Sequence, residues 1–140
     1  MNGFVLDTDT LTLAQFGHHK IVARMATHPE SQIHVNVVSF QEQIQGWLGR
    51  FKNMNSPSKM ADWYDRRVTR IFPVWRRFPL LGFSEPAILR FEQFRSLRLN
   101  VGLMDLRIVA IAVENSLTLV TRNQTDFSRV PGLTTEDWSL

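Results

Sequence analysis

Apolar residues in this chain come in two kinds of stretch, short continuous runs and longer segments at helical spacing, and the two kinds alternate. Phe4-Val5-Leu6 is too short for a helix and stops at Asp7-Thr8-Asp9-Thr10, the pattern of a short buried strand. Leu11, Leu13 and Phe16 predict a helical stretch broken at Gly17, and another runs from His19 to Thr27. His28-Pro29-Glu30-Ser31 reads as a loop. Ile33 to Val38, rich in β-branched residues, is the second expected strand. Ser39 can cap a following helix from Phe40 to about Lys52, with Phe40, Ile44, Trp47 and Phe51 on one face.

Ser56-Pro57 is a good helix start, with proline at the first helical position. Met60, Trp63, Tyr64, Val68 and Ile71 form the apolar stripe of that helix, opposite Lys59, Arg66, Arg67 and Arg70. Pro73 and Pro79 are expected to bracket a bent connection, with a weak strand or extended segment from Pro79 to Phe83. Ser84-Glu85-Pro86 starts another helix with Ile88, Phe91 and Phe94 inward. Leu103 to Asn115 is apolar nearly all round, as a buried helix is. Ser116 to Thr121 is a strand, and Val130-Pro131-Gly132-Leu133 turns into a short terminal strand ending near Trp138. Strands alternating with helices predict an α/β fold, with a largely parallel sheet covered on both faces. The expected organisation is a single domain over residues 1–140, without repeats or linkers.

Composition narrows the chemistry. The absence of cysteine excludes disulfide frameworks, zinc ribbons, iron–sulfur clusters and thiol nucleophiles. No apolar run approaches the ~20 residues that span a bilayer, and Asp7 interrupts the first run before it could serve as a signal peptide. The expectation is a soluble cytoplasmic protein with no membrane partner. The net charge of +3 is unevenly placed. Residues 1–49 carry two basic and four acidic groups, residues 50–98 eleven and four, and residues 99–140 three and five. A basic middle between acidic ends suits a polyanion partner, although lysine and arginine also solvate ordinary helix faces.

The acidic residues are placed more tellingly than their number suggests. Ligands of an open parallel sheet bind at the carboxyl ends of its strands. Asp7 and Asp9 follow the first strand, Glu42 lies in the first turn of the helix after the second, and Asp126 follows the strand ending at Thr121. Asp105 instead opens the buried helix, amid Leu103, Met104, Leu106 and Ile108. Taken singly, Asp7 reads as a helix cap, Glu42 and Asp105 as residues favoring a helix N-terminus, and Asp126 as part of a turn. Together they are harder to dismiss. Two carboxylates ~4 Å apart repel by about 4 kcal/mol at an effective dielectric of 20, so such a group calls for cations or raised pKa values. Oxygen ligands without histidine or cysteine select Mg²⁺ or Mn²⁺. His18, His19, His28 and His34 match no ligand spacing and read as surface or helix-end residues.

At this point the sequence resembles the PIN-domain ribonucleases, and among them the VapC-type toxins of bacterial toxin–antitoxin pairs. Four motifs in order carry the resemblance, from Phe4 to Trp138. They are Phe4-Val5-Leu6-Asp7-Thr8-Asp9-Thr10, then Val38-Ser39-Phe40-Gln41-Glu42, then Gly102-Leu103-Met104-Asp105, and last Leu119-Val120-Thr121-Arg122-Asn123-Gln124-Thr125-Asp126-Phe127. Val130-Pro131-Gly132-Leu133 and Glu136-Asp137-Trp138 complete the last. The departures are Leu103 and Val109, where relatives often carry a polar residue and alanine, which bears on helix packing.

The resemblance implies a PIN-like three-layer α/β/α fold with a central, mostly parallel sheet, and a metal-dependent endoribonuclease acting as a toxin. Asp7, Glu42, Asp105 and Asp126 would be the catalytic acids holding one or two Mg²⁺ or Mn²⁺ ions, with Asp9 contributing directly or through water. Thr8, Ser39, Thr121 and Asn123 would orient carboxylates, waters or the scissile phosphate, although capping and turn chemistry explain them equally. Arg50, Lys52, Lys59, Arg66, Arg67 and Arg70 would guide the RNA backbone. Trp63 and Tyr64 could stack bases but also fit the inward stripe. The implied partners are an RNA substrate, a cognate antitoxin and a second copy of the chain. Two other readings remain. One is a non-catalytic PIN-fold RNA-binding or scaffold domain. The other is a haloacid dehalogenase-like phosphatase, whose Asp-x-Asp-x-Thr motif Asp7-Thr8-Asp9-Thr10-Leu11 narrowly misses.

Overall fold

Five short strands build the sheet in the computed structural model, which describes residues 3–140. They are β1 (Phe4–Leu6), β2 (Ile33–Asn36), β3 (Leu80–Leu81), β4 (Thr118–Val120) and β5 (Thr135–Glu136). All pair in parallel, in the order β3-β2-β1-β4-β5. The chain therefore winds outward from β1 through β2 to β3, then returns to the other side of β1 for β4 and β5. The reversal leaves a crevice beyond the carboxyl ends of β1 and β4, where open α/β sheets take their ligands.

The pleat divides the core. Val5 points to the face covered by α6 (Glu85–Ser96) and α7 (Leu103–Glu114), where it joins Phe91, Phe94, Ile108 and Val109. Phe4 and Leu6 point the opposite way, toward Leu11 of α1 (Thr8–Gln15), Ile21 of α2 (His19–Met25), and Trp138. Two apolar clusters on opposite sides of one sheet make a three-layer α/β/α arrangement. Val109 is fully buried, whereas Leu103 at the start of the same helix is exposed. Among the described residues, no helix is long and apolar enough to cross a membrane.

Three sequence expectations need correction, the simplest being Ile88, expected inward with Phe91 and Phe94 but exposed. The second strand ends at Asn36 rather than Val38, and α3 (Val37–Phe51) is capped by Asn36, not by Ser39. The Asn36 side chain accepts from the Ser39 backbone N–H at 2.8 Å, which outweighs the strand preference of Val37 and Val38. Glu42 accordingly lies in the second turn of α3, not the first. The last correction concerns Pro73. Ser56 caps α4 (Pro57–Ala61), which passes through a π-helical stretch (Asp62–Val68) into α5 (Thr69–Arg77), with Pro73 inside it. Ile71 is buried and Val74 and Trp75 pack on the sheet-side cluster, so tertiary packing carries the helix across a residue that usually ends one.

Candidate functional site

The acids are placed by strand ends and helix starts. Asp7 ends β1 and caps α1, its carboxylate accepting from the Thr10 backbone N–H at 2.8 Å. Burial pushes its pKa up; hydrogen bonds from Thr121 and Thr10 oppose this, and the neighbouring Asp9 charge adds to it. Capping and acid chemistry thus fall on one residue. Asp105, in the first turn of α7, is half-buried and also raised. Burial is the larger cause, followed by the charges of Glu42, Asp7 and Asp126. The charges of the other three acids named from the sequence therefore all bear on Asp105, although Asp7 and Asp126 are 119 positions apart in the chain.

A hydrogen-bonded row ties α1 to α3. Thr8 donates its single hydroxyl proton to Glu42 Oε1 at 2.6 Å, so at 2.8 Å it must accept from Ser39. Ser39 in turn accepts from Asn36 Nδ2 at 3.1 Å, and the same amide reaches the Leu6 carbonyl at 3.0 Å. Asn36 and Ser39 are completely buried. The row runs from a strand-end carbonyl to a carboxylate and holds Glu42 in one orientation. Thr121 is fixed similarly, bonding Asp7 and accepting from the Asn123 backbone N–H at 3.0 Å.

The cavities show which of these residues share space. Asp7, Asp9, Asp105, Arg122, Asn123 and Phe127 line one of about 390 Å³. Thr8 and Glu42 open onto a neighbouring cavity of about 180 Å³ that also reaches Arg50, Trp63 and Arg67. Asp126, exposed on the short helix α8 (Gln124–Phe127), lines neither. Among the described residues, no three acidic or histidine side chains close on one point tightly enough to hold a metal ion. The donor chemistry nevertheless fits a hard divalent cation, because the groups are carboxylates and two of them are raised by burial and mutual repulsion. Asp9 is engaged differently, accepting from Arg122 Nε at 2.7 Å.

The basic residues gather beside this site. Arg50, Lys59, Arg66 and Arg67 line a groove of about 640 Å³ between α3 and the α4–π segment. Arg70 joins Arg66 and Arg67 along an adjoining groove beside α1, whereas Lys52 lines neither. Arg66 and Arg67 both face Asp62, at 3.5 and 3.3 Å. These pairs are exposed, worth about 0–1 kcal/mol each, and yield readily to another anion. Trp63 is buried and Tyr64 exposed, with ring centroids 4.7 Å apart. His28 is half-buried in a cluster with Phe4 and Trp138, at 4.5 and 5.3 Å between ring centroids.

Sequence reasoning missed Asn36 and Arg122. Asn36 carried a legible signal, a capping residue directly before a helix, obscured by the valines that follow. The signal for Arg122 was its position just past β4, which gains meaning only once Asp9 is known to be adjacent. Replacing Asn36 by alanine is expected to destabilise the fold by about 2 kcal/mol, because the Leu6 carbonyl and Ser39 N–H lose buried partners. Urea denaturation measures it, and an unchanged midpoint would show that water replaces the amide.

No protein-family model and no curated protein sequence matches the chain. Solved structures do. A chain of the DNA-bound VapBC from Salmonella typhimurium aligns with a TM-score of 0.79 at 24% identity, over 99% of each chain. VapBC-1 from nontypeable Haemophilus influenzae aligns at 0.75 and 20% identity, over 98% of each chain. VapBC-5 from Mycobacterium tuberculosis, a member of the VapBC family of toxin-antitoxin systems, aligns at 0.64 and 22%, again over 98% of each. What this chain shares with them is the fold, the PIN-like α/β/α arrangement, from end to end.

Proposed function

We propose that this chain, folded as those toxin–antitoxin proteins are, is a Mg²⁺- or Mn²⁺-dependent endoribonuclease and the toxin of such a pair. The observation that carries the reading is the sharing of one cavity by Asp7 and Asp105 at the carboxyl edge of a parallel sheet, with the charges of Glu42 and Asp126 bearing on Asp105 and a basic groove adjoining. The acids disfavour RNA and a bound cation relieves that repulsion, while the basic groove supplies attraction for the backbone with or without the ion.

Asp7, Asp105, Asp126 and Glu42 would hold the ion. A bound divalent cation lowers the pKa of water and neutralises charge on a phosphoryl group under attack. The chain's own residues do the rest. Thr8 and Ser39 fix the Glu42 carboxylate, Thr121 fixes that of Asp7, and both arrangements are set before any substrate arrives. Arg50 and Arg67 stand beside Glu42, where they can hold phosphates flanking the reacting bond. A strand of RNA so held presents one phosphodiester to the acids, which is the positional part of catalysis.

The wide spacing of the acids favours one second reading, a PIN-fold domain that binds RNA without cutting it. The phosphatase reading is weakened by Asp9, whose pairing with Arg122 suits a fixed charge better than a proton carrier. Thermal denaturation separates the two remaining possibilities. At a hundred times its dissociation constant, a bound ion stabilises by about 2.7 kcal/mol, a rise of several degrees in Tm. Mg²⁺ or Mn²⁺ is expected to produce that rise, and Asp7→Asn to reduce it. An identical rise in both proteins would remove Asp7 from the ligands; no rise, with RNA retained intact, would establish the non-catalytic reading.

A further inference from the structure

The ion pair of Asp9 and Arg122 lines the acidic cavity and has no task in the reading above. Asp9 stands in the first turn of α1 and Arg122 two residues past β4, so the pair bridges the crevice between the two central strand ends. Both side chains are about half exposed, at 54% and 50%, and a pair so exposed adds little to stability. It is costly to explain as scaffolding and easy to explain as a held cation. Asp9 engages only the Nε of Arg122, at 2.7 Å. A guanidinium has five N–H donors in a planar fork, so four remain on its terminal nitrogens.

Two further features suit Arg122 to a ligand. The residues on either side of it are fixed, since Thr121 is completely buried and accepts from the Asn123 N–H at 3.0 Å. The side chain therefore extends from rigid backbone. It also lines the cavity with three carboxyl groups, Asp7, Asp9 and Asp105, and is the only cationic residue among the residues that line it. A phosphodiester entering that space meets three carboxyl groups and a single cation, with Asn123 and Phe127 completing the lining.

We propose that Arg122 is a substrate-binding residue whose terminal nitrogens grip the RNA phosphate that enters the acidic cavity, while Asp9 holds the guanidinium in place through Nε. The inference rests on the nuclease reading and deepens it, because it assigns the site a dedicated phosphate contact apart from the basic groove. Fork-like bidentate contact is the geometry in which arginine binds phosphate best. Asp9 orients the cation and tempers it, so that an empty site does not trap stray anions.

Binding measured without divalent ions tests this apart from catalysis. The full chain, in excess chelator, is titrated against a fluorescein-labelled single-stranded RNA oligonucleotide at several salt concentrations, with fluorescence anisotropy as the readout. Arg122→Ala is expected to weaken binding about tenfold and to reduce the slope of log affinity against log salt by about 0.7, the loss of one phosphate contact on a single strand. Arg122→Lys should keep the slope and lose part of the affinity. Asp9→Asn should bind as tightly as the wild type or more tightly, since it removes a negative charge and frees the guanidinium. A structural ion pair would make Asp9→Asn and Arg122→Ala fall together, and that result overturns the proposal. Equal affinity and slope for Arg122→Ala and a wild type that cuts RNA when Mg²⁺ is added overturns it alone. A wild type that neither binds nor cuts RNA overturns the nuclease reading as well.

Discussion

Replacing Asp105 by asparagine should abolish RNA cleavage, by at least about a hundredfold, and leave the protein folded and slightly more stable without divalent ions. Asparagine keeps the size and polarity of the side chain but removes the charge that Glu42, Asp7 and Asp126 repel. The stability gain has a definite pH dependence. The folded-state pKa of Asp105 is raised, first by burial and then by those charges, above its ordinary value of 3.8. Below the unfolded value the carboxyl is protonated in both states and asparagine gains nothing. As pH climbs from 3.8 through the raised folded value, the native wild type comes to carry a charge it disfavours, and its stability falls relative to the variant. Paired urea titrations from acid to neutral pH should show the two proteins diverging over that interval. Parallel curves would mean that the charge is solvated, and undiminished cleavage would remove Asp105 from the site.

A small partner protein should silence the enzyme completely at stoichiometric amounts, and its absence should make expression of the chain arrest growth. The expectation follows from the proposed activity, since unregulated RNA cleavage harms the cell that makes it. It follows also from the surface. Leu48 and Phe51 of α3, Met60 of α4, Tyr64 of the π-helical stretch and Phe72 of α5 are all exposed. Exposed apolar residues along consecutive helices suit a helix that orders on binding, or a second copy of the chain. The grooves beneath them hold Arg50, Arg66 and Arg67, so an acidic segment on the partner would block the path of RNA. Copurification from the native host with mass spectrometry identifies the partner, and size-exclusion chromatography of the chain alone should show a dimer. An active monomer with no small partner and no effect on growth would leave a nuclease and remove the toxin role.

The α/β class and most elements were legible because local signals agreed with one another, although the short helix α8 around Asp126 read as a turn. Phe4-Val5-Leu6 before Asp7, Ser56-Pro57, Ser84-Glu85-Pro86 and the apolar helix from Leu103 each carry both a pattern and a boundary residue. Legibility failed where local and distant forces disagreed. Val37 and Val38 have strand chemistry but begin a helix because Asn36 is buried against the Leu6 carbonyl. Pro73 has a breaker's chemistry but stays inside α5 because Ile71, Val74 and Trp75 are held from outside the helix.

For the site, the sequence by itself determined the inventory: acids at strand ends and at the start of a buried helix, with hydroxyls beside them and a basic segment between. These are one-dimensional facts, set by which residue follows which strand or opens which helix. Only the tertiary structure decided how they meet. The order β3-β2-β1-β4-β5 sets the turn after β4 against the turn after β1, and so pairs Arg122 with Asp9 across 113 positions of sequence. It likewise brings Asn36 at the end of β2, and Ser39 and Glu42 of α3, alongside Thr8 in a row whose donor directions no spacing could specify. Strand order is chosen by the burial of whole faces, an energy summed over the chain, whereas motifs record only what lies within a few residues.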